Sequence, residues 1–296
     1  MLSNMRVLAL LIFAVALRAD ERTQQLLDRL AQEAEAFEKV APQLMGVETL
    51  HQRALTPPPR FKLRVGEAAE HPLTATWQQR EIISEYGFAV FGSGAIQELR
   101  LVIAVNRKHV ADEKKAQDDL ASLVTGNNDQ RKRRALQQFE KYGFRGGATD
   151  FGQILLLFSK STQERYEITY QGERFAGQGE RDAGETRVQT FHYKQLDGPE
   201  ALTLFRQGQV EQPRHLNVEG EIWVREPDGA PVRITLVVTD NSSDQALREE
   251  AAVDYEASEF GAMLPVETNH KESRAGSVVT ENKFTYAGFH RFGTAH

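Results

Sequence analysis

Residues 220–238 read GEIWVREPDGAPVRITLVV. Pro227-Asp228-Gly229 is a turn signal: proline presets its backbone angle, aspartate supports the turn, and glycine accepts the left-handed position. The flanking runs alternate with a period of two residues, so the stretch predicts an antiparallel hairpin. Ile222, Val224, Val232, Ile234, Leu236 and Val238 share one face, which is plain core. Glu221, Trp223, Arg225, Arg233, Thr235 and Val237 share the other, one large aromatic among charges. A mixed face of this kind belongs to a wide sheet that helices cover on one side only.

Strands dominate on both sides of this hairpin. Residues 80–91 and 95–106 flank Gly92-Ser93-Gly94, a connection of hairpin length. In the second run Leu99, Leu101, Ile103 and Val105 alternate with Glu98, Arg100, Ala104 and Asn106, which predicts a half-buried strand. Further strands are expected at 164–171, 186–194, 216–225, 232–239, 250–258, 264–271 and 278–286, parted by breaks such as GQGERDAGE and QLDGPE. Helical spacing marks residues 21 to about 55, with Leu26, Leu27, Leu30, Ala34, Phe37 and Val40 at three- and four-residue steps. Pro42 interrupts this helix or starts a second one, and Thr56-Pro57-Pro58-Pro59 ends it. From 111 to 142 two more helices are expected, divided at Gly126-Asn127-Asn128-Asp129. Asp150 caps a third, with Phe151, Ile154, Leu155 and Phe158 facing the core.

The helical block sits inside the β pattern, and no linker separates two compositions. The expected fold class is therefore α+β: one large curved antiparallel sheet (a half-barrel) of roughly eight to ten strands. It wraps around the N-terminal helix and a helical insertion at about 111–160.

The first twenty residues, MLSNMRVLALLIFAVALRAD, follow the secretory plan: Arg6 as a basic start, an apolar run over 7–17, and Leu17-Arg18-Ala19 as a cleavage site. An eleven-residue run is too short for a bilayer core, which takes about 20 helical residues. Residues 1–19 are thus expected to be a signal peptide, and 20–296 a single α+β domain, periplasmic or secreted and not membrane-spanning once the signal is removed. There is no cysteine, which excludes thiol catalysis, thiolate metal sites and a lipid-modified cysteine anchor. Removing Arg6 and Arg18 with the signal leaves 36 − 2 = 34 basic residues against 42 acidic ones, a net of −8. That balance argues against nucleic acid as a partner.

The run GEIWVREPDGAPVRI resembles the strand-turn-strand of the periplasmic lipoprotein-carrier superfamily (LolA-like, with its LppX-like and RseB-like relatives). VDYEASEFGAMLP and VTENKFTYAGFHRFG continue the pattern, which covers residues 214–293 best and 22–110 more loosely. The resemblance implies a strongly curved sheet around helices, with an apolar cavity for acyl chains or a lipid-bearing partner. The insertion at 111–160 departs from the compact carriers, and no ligand-gripping residue is carried over from them.

Catalytic patterns are missing. No two of the eight histidines lie at metal-ligand spacing on an expected helix, so they read as scattered surface groups. Gly92-x-Gly94 is a turn and not a dinucleotide fingerprint, and no Gly-x-Ser-x-Gly elbow occurs. Asp118-Asp119 and Glu249-Glu250 are adjacent, so each pair points apart and reads as solvated. No cofactor or metal is expected. Arg131-Lys132-Arg133-Arg134 reads as a solvated helix face or as a docking patch for an acidic partner or a lipid headgroup. Two functions fit: a non-enzymatic envelope protein holding an apolar ligand (a lipid or acylated protein), or an assembly or sensor protein that contacts an envelope partner through its surface. For the first, Trp77, Tyr86, Phe88, Phe191 and Trp223 are the expected cavity aromatics, with Tyr86 and Phe88 on one face.

Overall fold

The computed structural model describes residues 2–56, 74–146, 150–176, 186–196, 202–206, 209–240 and 246–292. The proline run at 57–59, the break at 177–185 and most of the break at 195–200 lie outside the described residues.

Helix α1 (Leu2–Val40) buries Leu26, Leu30, Ala31, Ala34 and Phe37 along one stripe. It ends where Pro42, which lacks an N–H, enters a 3-10 turn at Ala41–Gln43. The helical spacing expected to run on to about 55 gives way to strand β1 (Leu44–Thr56). Strands β2 (Thr76–Val90), β3 (Ile96–Val105) and the short β4 (Lys108–His109) follow. The insertion holds helices α2 (Glu113–Thr125) and α3 (Asp129–Lys141). Asp112 caps α2 by accepting from the Lys115 amide at 2.8 Å, and Asn128 caps α3 from the Arg131 amide at 3.0 Å. The third expected helix is a 3-10 segment, Ile154–Phe158. Beyond it run β5 (Tyr166–Ala176), β6 (Thr186–Gln195), β7 (Leu202–Arg206), β8 (Gln209–Leu216), β9 (Glu219–Arg225), β10 (Pro231–Asp240), β11 (Leu247–Ala257), β12 (Met263–Arg274) and β13 (Ser277–Arg291).

Eleven strands form one sheet in the order β4-β3-β2-β1-β13-β12-β11-β10-β9-β6-β5, and β7 and β8 pair separately. Every pairing is antiparallel. The fold is therefore α+β, a large curved sheet around helices, one strand wider than the upper expectation. The 220–238 hairpin behaves as its alternation predicts: Ile222, Val224, Ile234, Leu236 and Val238 are buried. Val232 is only half-buried, because the β9–β10 register shifts between Pro231 and Arg233. Gly229 closes the turn at φ +66°.

Phe88 meets Phe37 of α1 at 5.0 Å between ring centroids, so α1 lies on the inner face of β2. Gly87 points the other way, toward Leu120 and Val124 of α2. The insertion thus does not sit wholly inside the curve: α2 covers the outer face of β2 and β3. Helix α3 serves both cores, with Ala135 in the outer cluster and Phe139 in the inner one. Strand β3, expected to be half-buried, is therefore enclosed on both sides. Leu99 is buried outward, while Glu98 and Arg100 are buried inward.

Candidate functional site: a filled concavity and an open outer trough

The concavity is occupied by the chain itself. Residues 150–158 cross it from one limb of the sheet to the other. Gly152 stands between β2, β3 and β12: a Cβ there would come within 2.9 Å of both Glu98 Oε1 and Tyr86 Oη, and 3.1 Å of Pro265. Tyr255 of β11 donates its hydroxyl to the Gly152 carbonyl at 3.0 Å and accepts from the Leu155 amide at 3.3 Å. Phe151 stacks on His270 of β12 at 4.8 Å. Phe158 meets Tyr193 of β6 at 5.0 Å and Tyr166 of β5 at 5.4 Å. Phe151, Leu155 and Phe158 are fully buried.

Two ionisable clusters are sealed on this inner face. Arg100 donates through Nε to both Glu48 oxygens, at 2.8 and 2.9 Å, and through Nη2 to Glu98 at 2.5 Å. All three side chains are at most 4% exposed. Burial raises Glu98 to about 8, against the opposing pull of Arg100. Glu48 is raised by burial too, and Arg100 works against that shift. Burial disfavours the Arg100 charge, but the two carboxylates outweigh it and hold its value up. Glu98 Oε1 and Tyr86 Oη have no hydrogen-bond partner among the described residues.

The second cluster joins His270 Nε2 to Glu249 in a short hydrogen bond, with Asn282 at 3.2 Å from the other ring nitrogen. Burial raises Glu249, and the bond to His270 opposes the rise. These positions correct two expectations. His270 is not a surface histidine, and Glu249 is not solvated, although Glu250 beside it does point outward. Both sealed side chains are 0% exposed, so neither can meet a substrate. Among the described residues no three His, Cys, Asp or Glu stand close enough to hold a metal.

The five aromatics do not converge. Tyr86 and Phe88 are neighbours on the inner face, 5.1 Å apart and fully buried, and Phe191 is buried further along it. Trp223 is half-buried on the outer face, where its indole N–H donates to Glu221 at 2.9 Å and Arg233 lies 5.1 Å from its ring. Trp77 is on the outer face as well, 40% exposed, with the Arg53 guanidinium 4.2 Å above it. The basic run divides similarly. Arg131, Arg133 and Arg134 are exposed, whereas Lys132 is buried and donates to the Val90 carbonyl at 2.6 Å.

An open trough of about 1000 Å³ crosses the outer face, lined by β1, β2 and β10 to β13 together with Asn106 and Arg107. Cross-strand register sets its floor: Gln79, Arg53, Glu281, Lys271 and Glu250 stand opposite one another in a single row. A second row runs Glu81, His51, Lys283, Asn269 and Ala252. Arg53 bonds Glu281 at 2.9 Å, and Lys283 reaches Glu267 at 3.0 Å. The sequence hid this trough because its members come from strands at opposite ends of the chain, as Arg53 and Glu281 show with a separation of 228.

No protein-family model matches the sequence, and no curated protein matches it. Among solved structures, the chain is similar to a DUF1329 family protein from Desulfovibrio piger, at 8% identity and a TM-score of 0.36, over 92% of this chain and 94% of that one. It is also similar to a LolA superfamily protein from Nitrosomonas europaea, at 10% identity and a TM-score of 0.28, over 90% and 94% of the two chains. Among the described residues no helix is long and apolar enough to cross a membrane.

Proposed function

We propose that this chain is a non-enzymatic binding protein of the cell envelope that acts through contacts made by its outer surface, with its concavity filled by its own side chains. Export removes residues 1–19 and leaves a mature domain in the periplasm or outside the cell. The observation that carries the reading is the 150–158 segment. Phe151, Leu155 and Phe158 stand fully buried where an acyl chain would have to lie, and the flanking Glu48, Glu98 and Arg100 would set polar and ionic groups against that chain. Arg131, Arg133 and Arg134, exposed on α3, are the docking group for an acidic envelope partner.

A photo-cross-linking residue in place of Arg133, in cells that export the protein, tests this. A discrete protein adduct, lost when Arg131 and Arg134 are both changed to Glu, is the expected result. The competing reading is an apolar ligand or acylated partner held in the concavity, which requires 150–158 to leave it. Recovery of an acyl lipid in stoichiometric amount from the purified native protein would establish that reading instead.

A further inference from the structure

We propose that the outer trough is a binding site for an acidic peptide segment in extended form. This goes beyond the docking reading and does not rest on it, since α3 contributes no residue to the trough.

Pairing within the trough decides the sign of its free charge. Each of its three carboxylates already has a basic neighbour: Arg53 lies 2.9 Å from Glu281, Arg248 2.9 Å from Glu250, and the His51 ring 3.8 Å from Glu81. Two cations of the lining are engaged as well. Lys283 reaches Glu267 at 3.0 Å, and Arg80 turns inward to donate to the Tyr142 carbonyl at 2.7 Å. Arg107 and Lys271 remain, both exposed and without an ion-pair partner among the described residues. Lys271 does stand between Glu250 and Glu281 in its row, but each of these is bonded to an arginine. On a net-acidic chain, two unpaired cations in one depression attract an anion that the surface as a whole repels.

The second observation is independent of this pairing. The two-residue turn from β3 to β4 is Asn106-Arg107, at φ +48° and +65°. Such a turn favours Asn-Gly, because both central residues take the left-handed region. Asn106 suits its place: its amide donates to the Glu81 carbonyl at 2.9 Å, and its side-chain oxygen accepts from the Glu81 amide at 3.0 Å. Arg107 does not, since its Cβ is strained where glycine would sit freely. Clamped to β2, the turn holds Arg107 at that end of the trough. Backbone strain of this kind gathers where a side chain has work to do.

The neutral members select a peptide. The Gln79 carboxamide is exposed and has no hydrogen-bond partner among the described residues. Asn269 uses its Nδ2 on Glu267 at 2.9 Å, which leaves its oxygen to accept. A carboxamide offers the same donor and acceptor as a peptide unit. No Phe, Tyr or Trp lines the trough, so a sugar ring would find no stacking face there. From β2 to β10 the trough crosses five strand spacings of roughly 4.8 Å, about 24 Å in all, which is the span of about seven extended residues.

Fluorescence anisotropy of labelled heptaglutamate with the mature protein tests the proposal, with heptaglutamine and heptagalacturonate as comparisons. Heptaglutamate should bind one-to-one and more weakly as salt rises, and heptaglutamine should not bind. Lys271→Gln should weaken binding about fivefold or more, and Arg107→Gly should do the same. The second variant should keep or raise the melting temperature, because glycine relieves the turn, so its loss of binding is not a loss of fold. Arg131→Gln with Arg133→Gln and Arg134→Gln should leave the affinity unchanged. If that triple variant loses heptaglutamate while the trough variants keep it, the peptide sits on α3, which overturns this proposal and leaves the docking reading standing. No binding of heptaglutamate at millimolar concentration would also overturn it. So would binding of heptagalacturonate without heptaglutamate, in favour of an acidic glycan.

Discussion

The two faces of the sheet carry the same kinds of residue and put them to opposite uses. On the inner face Glu48, Glu98 and Arg100 are sealed among Tyr86, Phe139, Tyr286 and Phe284. On the outer face Arg53, Glu281, Lys271 and Glu250 stand in a row open to solvent. A buried charge must be matched in place, since leaving one uncompensated is costly. A solvated pair adds little to stability and stays available to a ligand. The inner charges therefore specify the fold, and the outer ones are free to specify recognition.

Breaking the inner network should have the largest effect. Arg100→Ala leaves the buried carboxyl groups of Glu48 and Glu98 without the guanidinium that bonds both, and an expected loss of about 3–5 kcal/mol in urea unfolding checks it. Phe158→Ala should cost a similar 3–5 kcal/mol, because a fully buried ring is lost between Tyr166 and Tyr193. Gly152→Ala comes next, at about 1–3 kcal/mol, since its methyl would press on Glu98, Tyr86 and Pro265 together.

The inner network also sets a pH dependence. Folding raises Glu98 from 4.5 to about 8, so the folded state binds this proton more tightly than the unfolded state. Its contribution is complete below about pH 4.5 and is lost as the pH rises through about 8. Glu98→Gln keeps the neutral form. The variant should match the wild type in acid and become the more stable of the two toward pH 8 and above, by comparison of urea midpoints. A wild type that gains stability relative to the variant over that range would contradict the assignment. The smallest effect belongs to the outer face, where Arg53→Ala should change stability by only about 0–1 kcal/mol, its pair with Glu281 being well solvated.

The same contrast explains what could be read in the sequence. Alternation located the β10 strand and its turn because its inner residues are apolar without exception among Ile234, Leu236 and Val238. Asn128 and the glycine before it divided α2 from α3 by local capping chemistry. Strand β1 escaped because its inward series is Leu44, Glu48, Leu50, Gln52 and Ala54, where two polar residues break the apolar alternation. Their partners are distant: Arg100 answers Glu48, and Gln52 bonds the Gly143 carbonyl and the Arg145 amide after α3. Nothing near Glu48 announces that it will be buried. The aromatics were legible as strand residues, but not which face each would join: Tyr86, Phe88 and Phe191 went inward, Trp77 and Trp223 outward. The outer row depends on register across strands from both ends of the chain, and local pattern carries no trace of register at that separation.

The central claim is that the concavity is filled by the chain and recognition lies outside. Titration of the mature protein with a fluorescent fatty acid tests it most directly. The account predicts no saturable uptake, with Trp223→Ala and Phe88→Ala changing stability alone. Saturable one-to-one uptake, abolished by Phe88→Ala in a variant that keeps a near-normal melting temperature, would contradict it.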